Sequence, residues 1–331
     1  MPDYKVVHGT KVQNFASDPP APFTGQVWYN TTSATTKYFF VNAGAWSTGN
    51  AMNTARATLG GVGTQTAALA FGGRTGPPAA DSDLTETYNG TNWTEVNDLN
   101  TLRRLPEGAG TQTAALAFGG RGIPPDFPPD VLHDNTETWN GTNWTEVNDL
   151  NTGRYYMAGC GASNTAALAF GGQLPARTAI TETWNGTNWT EVNDLNTGIS
   201  QLGGTGTSTA ALAIGGDVGP TSDKTLLWNG TNWTEVNDMN TGRLNVGATG
   251  ITTAALAFGG RPSNTIVANT ETWNGTNWTE VGDLNAAISK GAGAGTTAAG
   301  LSFGGNNPPD VTTAATEEFT SGPTTSTLGS E

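Results

Sequence analysis

A pair of glycines ends a short apolar run at six places in this chain of 331 residues. The pairs are Gly72-Gly73, Gly119-Gly120, Gly171-Gly172, Gly215-Gly216, Gly259-Gly260 and Gly304-Gly305. Consecutive pairs lie 44 to 52 residues apart. A repeat of this length is typical of stacked or closed arrays, in which one unit alone is too small to bury its apolar face. The pattern predicts six similar units whose residue types largely follow a copied template.

Only one step inside the repeat varies in length. Each unit contains a Gly-x-Gly stretch, the run ending in the glycine pair, an aromatic residue, and a second aromatic five residues later, as at Trp184 and Trp189. From the second aromatic to the next Gly-x-Gly stretch the distance is always 17 residues, as from Trp189 to Gly206. From the glycine pair to the first aromatic it ranges from 12 to 19 residues. Insertions confined to one connection are typical of loops on one face of an array.

The residues of each unit favour strands over helices. Residues 165–170 (Thr-Ala-Ala-Leu-Ala-Phe) form a short apolar run bounded by polar turns, which is typical of a strand covered on both faces. Residues 136–139 and 144–147 are rich in Thr, Trp and Val and predict two more strands. The Asn140-Gly141 pair between them is a strong hairpin signal, because both residue types tolerate positive φ. The Gly-x-Gly stretch is predicted to be a fourth strand at the crowded innermost position.

Four antiparallel strands in a unit of about 45 residues, repeated six times, predict an all-β, six-bladed β-propeller. The landmarks of the second unit are, in order, Trp139, Trp144, Leu150 and Arg154. This order resembles the kelch repeat, in which a glycine pair is followed by an aromatic residue, a Trp about six residues on and often an Arg. At the Arg position the chain carries Arg56, Arg103, Arg154, Ile199, Arg243 and Ile288. Two units depart from the pattern, so the match is kelch-like; it covers roughly residues 37–320.

The two ends of the chain predict how the ring closes. Residues 46–56 align with residues 144–154, yet no full unit precedes them, and the last unit ends without its second Trp. An N-terminal strand that completes the sixth blade accounts for both observations. Residues 37–41 and residues 316–319 are alternative candidates for the third strand of that blade. The expected organisation is an N-terminal attachment segment with an aromatic hairpin (1–36), the propeller (37–320) and a flexible C-terminal tail (321–331).

Composition limits the classes of partner. Asp and Glu number 28 and Lys and Arg 14, so the net charge is −14 and the pI is near 4.4. This charge repels phosphate backbones and argues against nucleic-acid binding. A single cysteine allows no internal disulfide, and the sequence shows neither a secretory signal nor a run long enough to span a bilayer. Synthesis in the cytoplasm without membrane insertion is therefore expected.

Few residues offer catalysis or metal binding. Cys160 takes a position filled by small residues in the other units, which favours a buried strand residue over a reactive thiol. His8 and His133 lie in different segments and offer little for a metal site, a nucleophile pair or the copper-oxidase chemistry known on kelch propellers. The repeated Glu-Val-Asn-Asp, as at residues 146–149, has oxygens that suit calcium, but a solvated strand edge is the favoured interpretation. No enzyme activity, cofactor or metal site is predicted.

Two further repeated features are assigned to structure. Ten of the eleven Trp residues lie at the repeated aromatic positions, which favours packing between blades over stacking on sugars. The Asn-Gly-Thr and Asn-Trp-Thr triplets match the N-glycosylation pattern, but hairpin formation explains them without a secretory signal.

The variable connections are the predicted recognition surface. They span residues 74–83, 121–134, 173–178, 217–224, 261–268 and 306–313. Proline lowers the entropy of a loop before binding, and loops on a rigid scaffold commonly carry recognition; neutral drift is the alternative. The candidate partner-binding residues are Arg74, Pro77, Arg121, Pro125, Phe127, Leu132, Arg177, Lys224, Arg261 and Pro308. The longest connection, residues 121–134, is the predicted main contact region.

The N-terminal segment has an aromatic pattern of its own. Residues 25–30 (Gly-Gln-Val-Trp-Tyr-Asn), 37–40 (Lys-Tyr-Phe-Phe) and 43–46 (Ala-Gly-Ala-Trp) resemble a segment common in bacteriophage tail-fibre and other virion appendage proteins, especially marine ones. There it often introduces repeats of the Thr-Ala-Ala-Leu-Ala-Phe-Gly-Gly kind. Exposure of Trp28 and Tyr29 would suit docking to another virion protein, and packing beneath the propeller is the alternative.

These patterns and resemblances predict a non-enzymatic structural or interaction protein of a phage virion, as a tail-fibre or appendage component. Its variable loops would contact a neighbouring virion protein, or a glycan or protein of the host surface, and a homo-oligomer in the particle is compatible with this role. The alternative is a carbohydrate-binding or adhesin-type propeller outside a virion.

Overall fold

The computed structural model describes residues 12–22, 24–122 and 131–327, and the regular structure of these residues is entirely β. The described residues form two compact units, one of those between 12 and 44 together with 321–327, the other of those between 45 and 320. No helix in the described ranges is long and apolar enough to cross a membrane. The larger unit contains all six copies of the repeat.

The larger unit is a six-bladed β-propeller, as predicted, and each blade is a four-stranded antiparallel sheet. From the inside outward, blade 1 contains Gly60–Thr64, Ala67–Phe71, Thr85–Tyr88 and Trp93–Glu95, and blade 2 contains Glu107–Thr111, Ala114–Phe118, Thr136–Trp139 and Trp144–Val147. Blade 3 contains Ala158–Ser163, Ala166–Phe170, Thr181–Trp184 and Trp189–Glu191, and blade 4 contains Gly203–Thr207, Ala210–Ile214, Thr225–Trp228 and Trp233–Glu235. Blade 5 contains Gly247–Ile251, Ala254–Phe258, Thr270–Trp273 and Trp278–Glu280. Blade 6 consists of Ala292–Gly295, Ala299–Phe303, residues 316–320 of Thr316–Thr327 and residues 45–49 of Thr35–Gly49. Three short ladders border the loops: Arg56–Ala57 with Arg74–Thr75, Arg121–Gly122 with Val131–Leu132, and Asn306–Asn307 with Val311–Thr312.

Glycines recur in the inner strands because the neighbouring blade occupies the space that their side chains would need. A Cβ atom added at Gly108 would lie 2.7 Å from the ring of Phe71 and 2.8 Å from Val62, both in the preceding blade. Inner strands of successive blades touch, and that of blade 6 touches that of blade 1. The crowded innermost position predicted for the Gly-x-Gly stretch is therefore confirmed.

The third strand of blade 6 comes from the C-terminal side. Thr316 pairs with Phe303 and Phe319 with Gly300, whereas residues 45–49 form the outer strand, with Ser47 Oγ donating to the Glu318 carbonyl at 3.3 Å. The N-terminal strand thus completes the last blade and closes the ring, as predicted.

Tryptophans join each blade to the preceding one all the way round the ring. The indole Nε1–H of the outer-strand Trp donates to the hydroxyl of a buried Thr on the third strand of the preceding blade, at 2.9–3.1 Å. The six pairs are Trp93–Thr316, Trp144–Thr85, Trp189–Thr136, Trp233–Thr181, Trp278–Thr225 and Trp46–Thr270. Five of these indoles also contact a phenylalanine ring of the preceding blade, as Trp144 does with Phe71 at 5.2 Å between centroids. Packing between blades, predicted for the Trp residues, is confirmed.

A buried ion pair holds the segment that leads into each of four blades. The guanidinium of the repeated Arg pairs with a carboxylate on the third strand of the following blade, and these side chains are at most 1% exposed. The pairs are Arg56–Glu86, Arg103–Glu137, Arg154–Glu182 and Arg243–Glu271. In blade 4 both partners are replaced together, by Ile199 and Leu226, which belong to one apolar cluster. In blade 6 only the Arg is replaced, and Glu317 accepts hydrogen bonds from the backbone and side chain of Asn285.

The Glu-Val-Asn-Asp copies have structural roles at the outer edges. In blade 2, the side-chain amide of Asn148 donates to the Thr187 carbonyl and to Asn188, both in the next blade, at 2.9 and 2.8 Å. The Asp149 carboxylate accepts the backbone N–H of Thr136 at 3.1 Å. Within the described ranges, no three or more His, Cys, Asp or Glu side chains gather as metal ligands would.

The smaller unit contains a short sheet in which Gln13–Phe15 runs parallel to Val27–Asn30, and Val27–Asn30 pairs antiparallel with the start of Thr35–Gly49. The Asp18 carboxylate accepts hydrogen bonds from the side chains of Trp28, Asn30 and Lys37. The division between units falls after residue 44, within the strand Thr35–Gly49. Residues 321–327, expected to belong to a flexible tail, continue the strand Thr316–Thr327.

Candidate functional site

The six variable loops start on one face of the propeller. The residue after each glycine pair forms a β-bridge or short ladder with the segment that leads into the same blade. These pairs are Arg74–Ala57, Arg121–Arg104, Gln173–Tyr155, Asp217–Ser200, Arg261–Leu244 and Asn306–Ser289. The glycines are required because a Cβ at Gly171, where φ is +65°, would lie 2.6 Å from the Ile199 carbonyl. Each glycine pair thus brings a variable loop to the same end of the ring.

A ring of six strained residues surrounds the channel on this face. They are Thr58, Leu105, Tyr156, Gln201, Asn245 and Lys290, with φ between +53° and +59°. Backbone hydrogen bonds link five of the six steps, for example Leu105 N–H to the Thr58 carbonyl at 2.7 Å. None is glycine, although the left-handed region costs other residues roughly 1–2 kcal/mol each. Such strain is concentrated at functional sites, so we include the ring in the candidate site.

Sequence reasoning missed this ring, although a signal for it exists. Each ring residue lies two positions after the repeated Arg or Ile, as Tyr156 follows Arg154. Its identity differs in all six copies, whereas most of its surroundings are repeated. Variation at one fixed template position outside the loops is thus a sequence signal for the ring.

A cavity of about 430 Å³ opens over this ring among the loops of blades 6, 1 and 2. Its charged lining residues are Arg74, Arg104, Arg121, Lys290 and Asp310. Pro77, Tyr156 and the exposed Val311 contribute apolar surface. The structure therefore brings three of the predicted loop residues, Arg74, Pro77 and Arg121, into one concave site.

Most charges around the cavity have partners. Both oxygens of Asp81 accept from Arg104 Nη1, at 2.7 and 2.9 Å. The Arg121 guanidinium lies 4.7 Å from the centroid of the Tyr155 ring. Asp310 forms an ion pair with Arg261, which belongs to the adjacent loop of blade 5.

The other predicted loop residues lie outside the cavity. Arg177 pairs with Asp217 of the next loop at 2.9 Å, and Lys224 pairs with Glu235 and Asp238 of its own blade at 2.9 Å. Leu132 is half-buried in a short ladder, and Pro308 is exposed. Pro125 and Phe127 lie outside the described residues. Val131 is 45% exposed beside Leu132, so the longest loop presents apolar surface where it is described.

The two residues predicted for N-terminal docking differ in accessibility. Trp28 is fully buried and its indole N–H donates to Asp18 at 3.2 Å, so its ring offers no docking surface. Tyr29 is half-buried. Docking through this segment stays a prediction that would have to use Tyr29 and its neighbours.

A narrow channel of about 320 Å³ follows the propeller axis and is lined by the six inner strands. Its one charged lining residue among those described is Glu107, at a strand position filled by Gly or Ala in the other blades. Burial raises the pKa of the Glu107 carboxyl to about 8, against a smaller opposing effect of the Gly159 backbone N–H. The carboxyl is therefore largely protonated at neutral pH.

Stability should depend on pH through Glu107. Its folded pKa lies above the unfolded value near 4.5, so the folded chain binds the proton more tightly and stability is lost as pH rises from about 4.5 through 8. We expect Glu107→Gln to match the wild type near pH 5 and to exceed it in unfolding free energy at pH 9. Urea denaturation at both pH values measures this; an advantage of the variant that is the same at both would contradict it.

Two groups considered for chemistry are inaccessible or have structural partners. Cys160 is buried and burial raises the pKa of its thiol, which disfavours the reactive thiolate. His133 is half-buried, contacts Asn135 at 3.2 Å, and has its pKa lowered by burial and by Arg103. Neither is positioned beside the cavity.

No protein-family model and no curated protein matches this chain. Solved structures do match, among them one described as "Structure of YjhT". It superposes with a TM-score of 0.67 at 12% sequence identity, over 82% of this chain and 97% of that chain. At this identity the similarity concerns the fold alone, and it shows that the chain has the architecture of a β-propeller.

Proposed function

We propose that the protein is a non-enzymatic, kelch-like propeller whose loop face binds a partner. The observation that carries this proposal is that all six variable loops start on the face that holds the strained ring, and that the loops of blades 6, 1 and 2 enclose one concave cavity there. The rest of the template stabilises the fold, through the Trp–Thr bonds between blades and the buried ion pairs within four of them. Residues free to differ between copies are thus concentrated where a partner can reach them.

The setting we propose is a phage virion, with the protein made in the host cytoplasm and assembled as a tail-fibre or appendage component. The support is the resemblance of the N-terminal aromatic segment to those of such proteins. In this setting the N-terminal unit attaches the protein to the particle, and the loop face contacts a neighbouring virion protein or the host surface. Mass spectrometry of purified particles tests the setting, and absence of the protein from them would refute it.

Shortening the longest loop should abolish partner binding. We expect replacement of residues 121–134 by residues 173–179 to retain the fold, because both segments start at the bridge beside the glycine pair and end at equivalent positions, where the carbonyls of Asp134 and Ala179 accept from Leu150 and Leu195. Labelled wild-type protein should bind particles or host cells, and the shortened variant should lose at least ten-fold in affinity. Thr187→Ala, on an exposed hairpin at the outer edge, is the matched control. Equal binding by all three proteins would contradict a recognition role for this loop.

A carbohydrate-binding or adhesin-type propeller outside a virion is the second candidate. The observation that favours it is the size of the cavity and the presence of Tyr156 in its lining, because sugar sites commonly combine an aromatic face with polar groups. A glycan array separates the candidates: saturable glycan binding by a protein absent from particles supports the second one.

A further inference from the structure

The cations of the propeller are distributed unevenly. The chain has 14 Lys and Arg residues. Four are the buried arginines of the template, and Lys5, Lys11 and Lys37 precede the propeller unit. The remaining seven are Arg74, Arg104, Arg121, Arg177, Lys224, Arg261 and Lys290. All seven lie in the variable loops or in the segments that lead past the ring, so every cation of the propeller unit outside the template is on the loop face.

Two of these cations have no countercharge. Among the described residues, the side chains of Arg74 and Lys290 make no hydrogen bond or ion pair, although both are only partly exposed and line the cavity. Arg74 Nε is buried and has no acceptor. Burial, followed by the charges of Arg261 and Arg74, lowers the pKa of the Lys290 ammonium. A half-buried pair of like charges without acceptors is unfavourable unless an anion joins it.

The nearby carboxylates do not supply that anion. Asp310 is paired with Arg261, and Asp81 with Arg104. Glu107 lies deeper, in the channel, and its pKa of about 8 leaves it largely protonated at pH 7. Within the described part of the chain, the cavity therefore has an excess of positive charge in a protein whose net charge is −14.

We propose that this cavity binds a small organic anion, with a carboxylate or phosphate group held between Arg74 and Lys290. Guanidinium and ammonium groups form short, charge-assisted hydrogen bonds with both kinds of anion. The volume of about 430 Å³ is in the range of small-molecule sites. Tyr156 is the aromatic residue in the cavity lining, beside the two cations. The inference rests on the proposed binding role of the loop face and specifies the chemistry of its ligand.

The negative charge of the protein around the cavity favours a small ligand over a long polyanion. The acidic remainder of the protein repels long polyanions, whereas the cationic cavity attracts an anionic group that is small enough to lie inside it, away from the negatively charged surface. A small anion satisfies both conditions, whereas a nucleic acid satisfies only the second.

Calorimetric titration of the full chain with inorganic phosphate and with citrate, at constant ionic strength, tests the site. We expect saturable binding of at least one anion by the wild type, and at least ten-fold weaker binding by Arg74→Gln and by Lys290→Gln. Lys224→Gln removes a loop-face cation outside the cavity and should stay within two-fold of the wild type. Phosphate and citrate distinguish a phosphate site from a carboxylate site.

Three outcomes would overturn the proposal: no saturable binding, equal weakening by Lys224→Gln, or unchanged binding by both cavity variants. Circular dichroism and thermal melting check that each variant is folded. If Arg74→Gln does not fold, Arg74→Lys, which keeps the positive charge but not the guanidinium, takes its place. The loop-shortened protein tests the proposed function separately. Partner binding that depends on residues 121–134 without any anion binding would refute only the present inference, and anion binding without partner binding would refute only the other.

Discussion

Replacing Glu182 by leucine will lower the free energy of unfolding by about 3–5 kcal/mol, because it leaves the Arg154 guanidinium buried without its carboxylate. Arg154 is fully buried and would keep only backbone carbonyls as acceptors, such as that of Gly171 at 3.0 Å. The loss is a large part of the 5–15 kcal/mol typical of natural domains. Urea denaturation followed by tryptophan fluorescence measures it.

The other blades provide the controls. The chain contains Arg with Glu in four blades, Ile199 with Leu226 in blade 4 and Ile288 with Glu317 in blade 6, but Arg with Leu in none. The double variant Arg154→Ile/Glu182→Leu copies blade 4 and should recover most of the loss, since replacing both partners by apolar groups removes the unpaired charge. Arg154→Ile alone copies blade 6, where Asn donors remain for the carboxylate, and should cost about 2 kcal/mol. If the double variant is no more stable than Glu182→Leu, the ion pair does not explain which residues occur together at these two positions of the six blades.

Trp46→Ala will destabilise the protein by about 3–5 kcal/mol and will loosen the closure of the ring. The indole of Trp46 is 6% exposed, contacts the rings of Phe258 and Phe319, and donates to Thr270 at 2.9 Å. The contacts with Phe258 and Thr270 join the outer strand of blade 6 to blade 5, and the contact with Phe319 joins it to the third strand of its own blade. Their loss leaves a cavity at the one blade whose strands come from both ends of the chain.

Hydrogen exchange distinguishes a local opening of blade 6 from a general loss of stability caused by removing a core side chain. Trp46→Ala should accelerate exchange most in residues 45–49 and 316–320, whereas Trp189→Ala, at the equivalent position of blade 3, should lower overall stability without that local effect. Trp46→Phe keeps an aromatic ring but loses the bond to Thr270 and part of the buried ring volume, so it should cost less than Trp46→Ala. Identical exchange patterns for the two alanine variants would show that blade 6 has no special role in closure.

Local patterns were enough to predict the blades. The AALAF run, the Asn-Gly hairpin and the fixed step of 17 residues depend on residues close together in the chain, so strand number and order could be read directly. Packing of the Trp residues between blades was predicted for the same reason, because a position repeated in every copy serves the template. The acceptor of each indole was not predictable, since Trp189 and Thr136 are 53 residues apart.

The binding face could be predicted only in part. The variable step located the loops, and Arg74, Pro77 and Arg121 do line a common cavity. Lys290 and Tyr156 were missed because they lie in the constant part of the repeat and become neighbours of Arg74 only in the closed ring. Trp28 was considered for docking on its residue type, but Asp18, ten residues earlier, satisfies its N–H in a buried position.

The sequence by itself determined six units, four strands in each, and the one connection free to change, because these features depend on spacing and residue type within a unit. Only the tertiary structure decided that residues 316–320 precede the N-terminal strand in blade 6, that Arg154 requires Glu182, and that Arg74 and Lys290 line one cavity. The ion pair forms when the segment that leads into blade 3 packs against the third strand of that blade, and the other two relations arise when the ring closes and brings blade 6 beside blade 1. Closure joins residues more than 200 positions apart, and no local pattern records which of them meet.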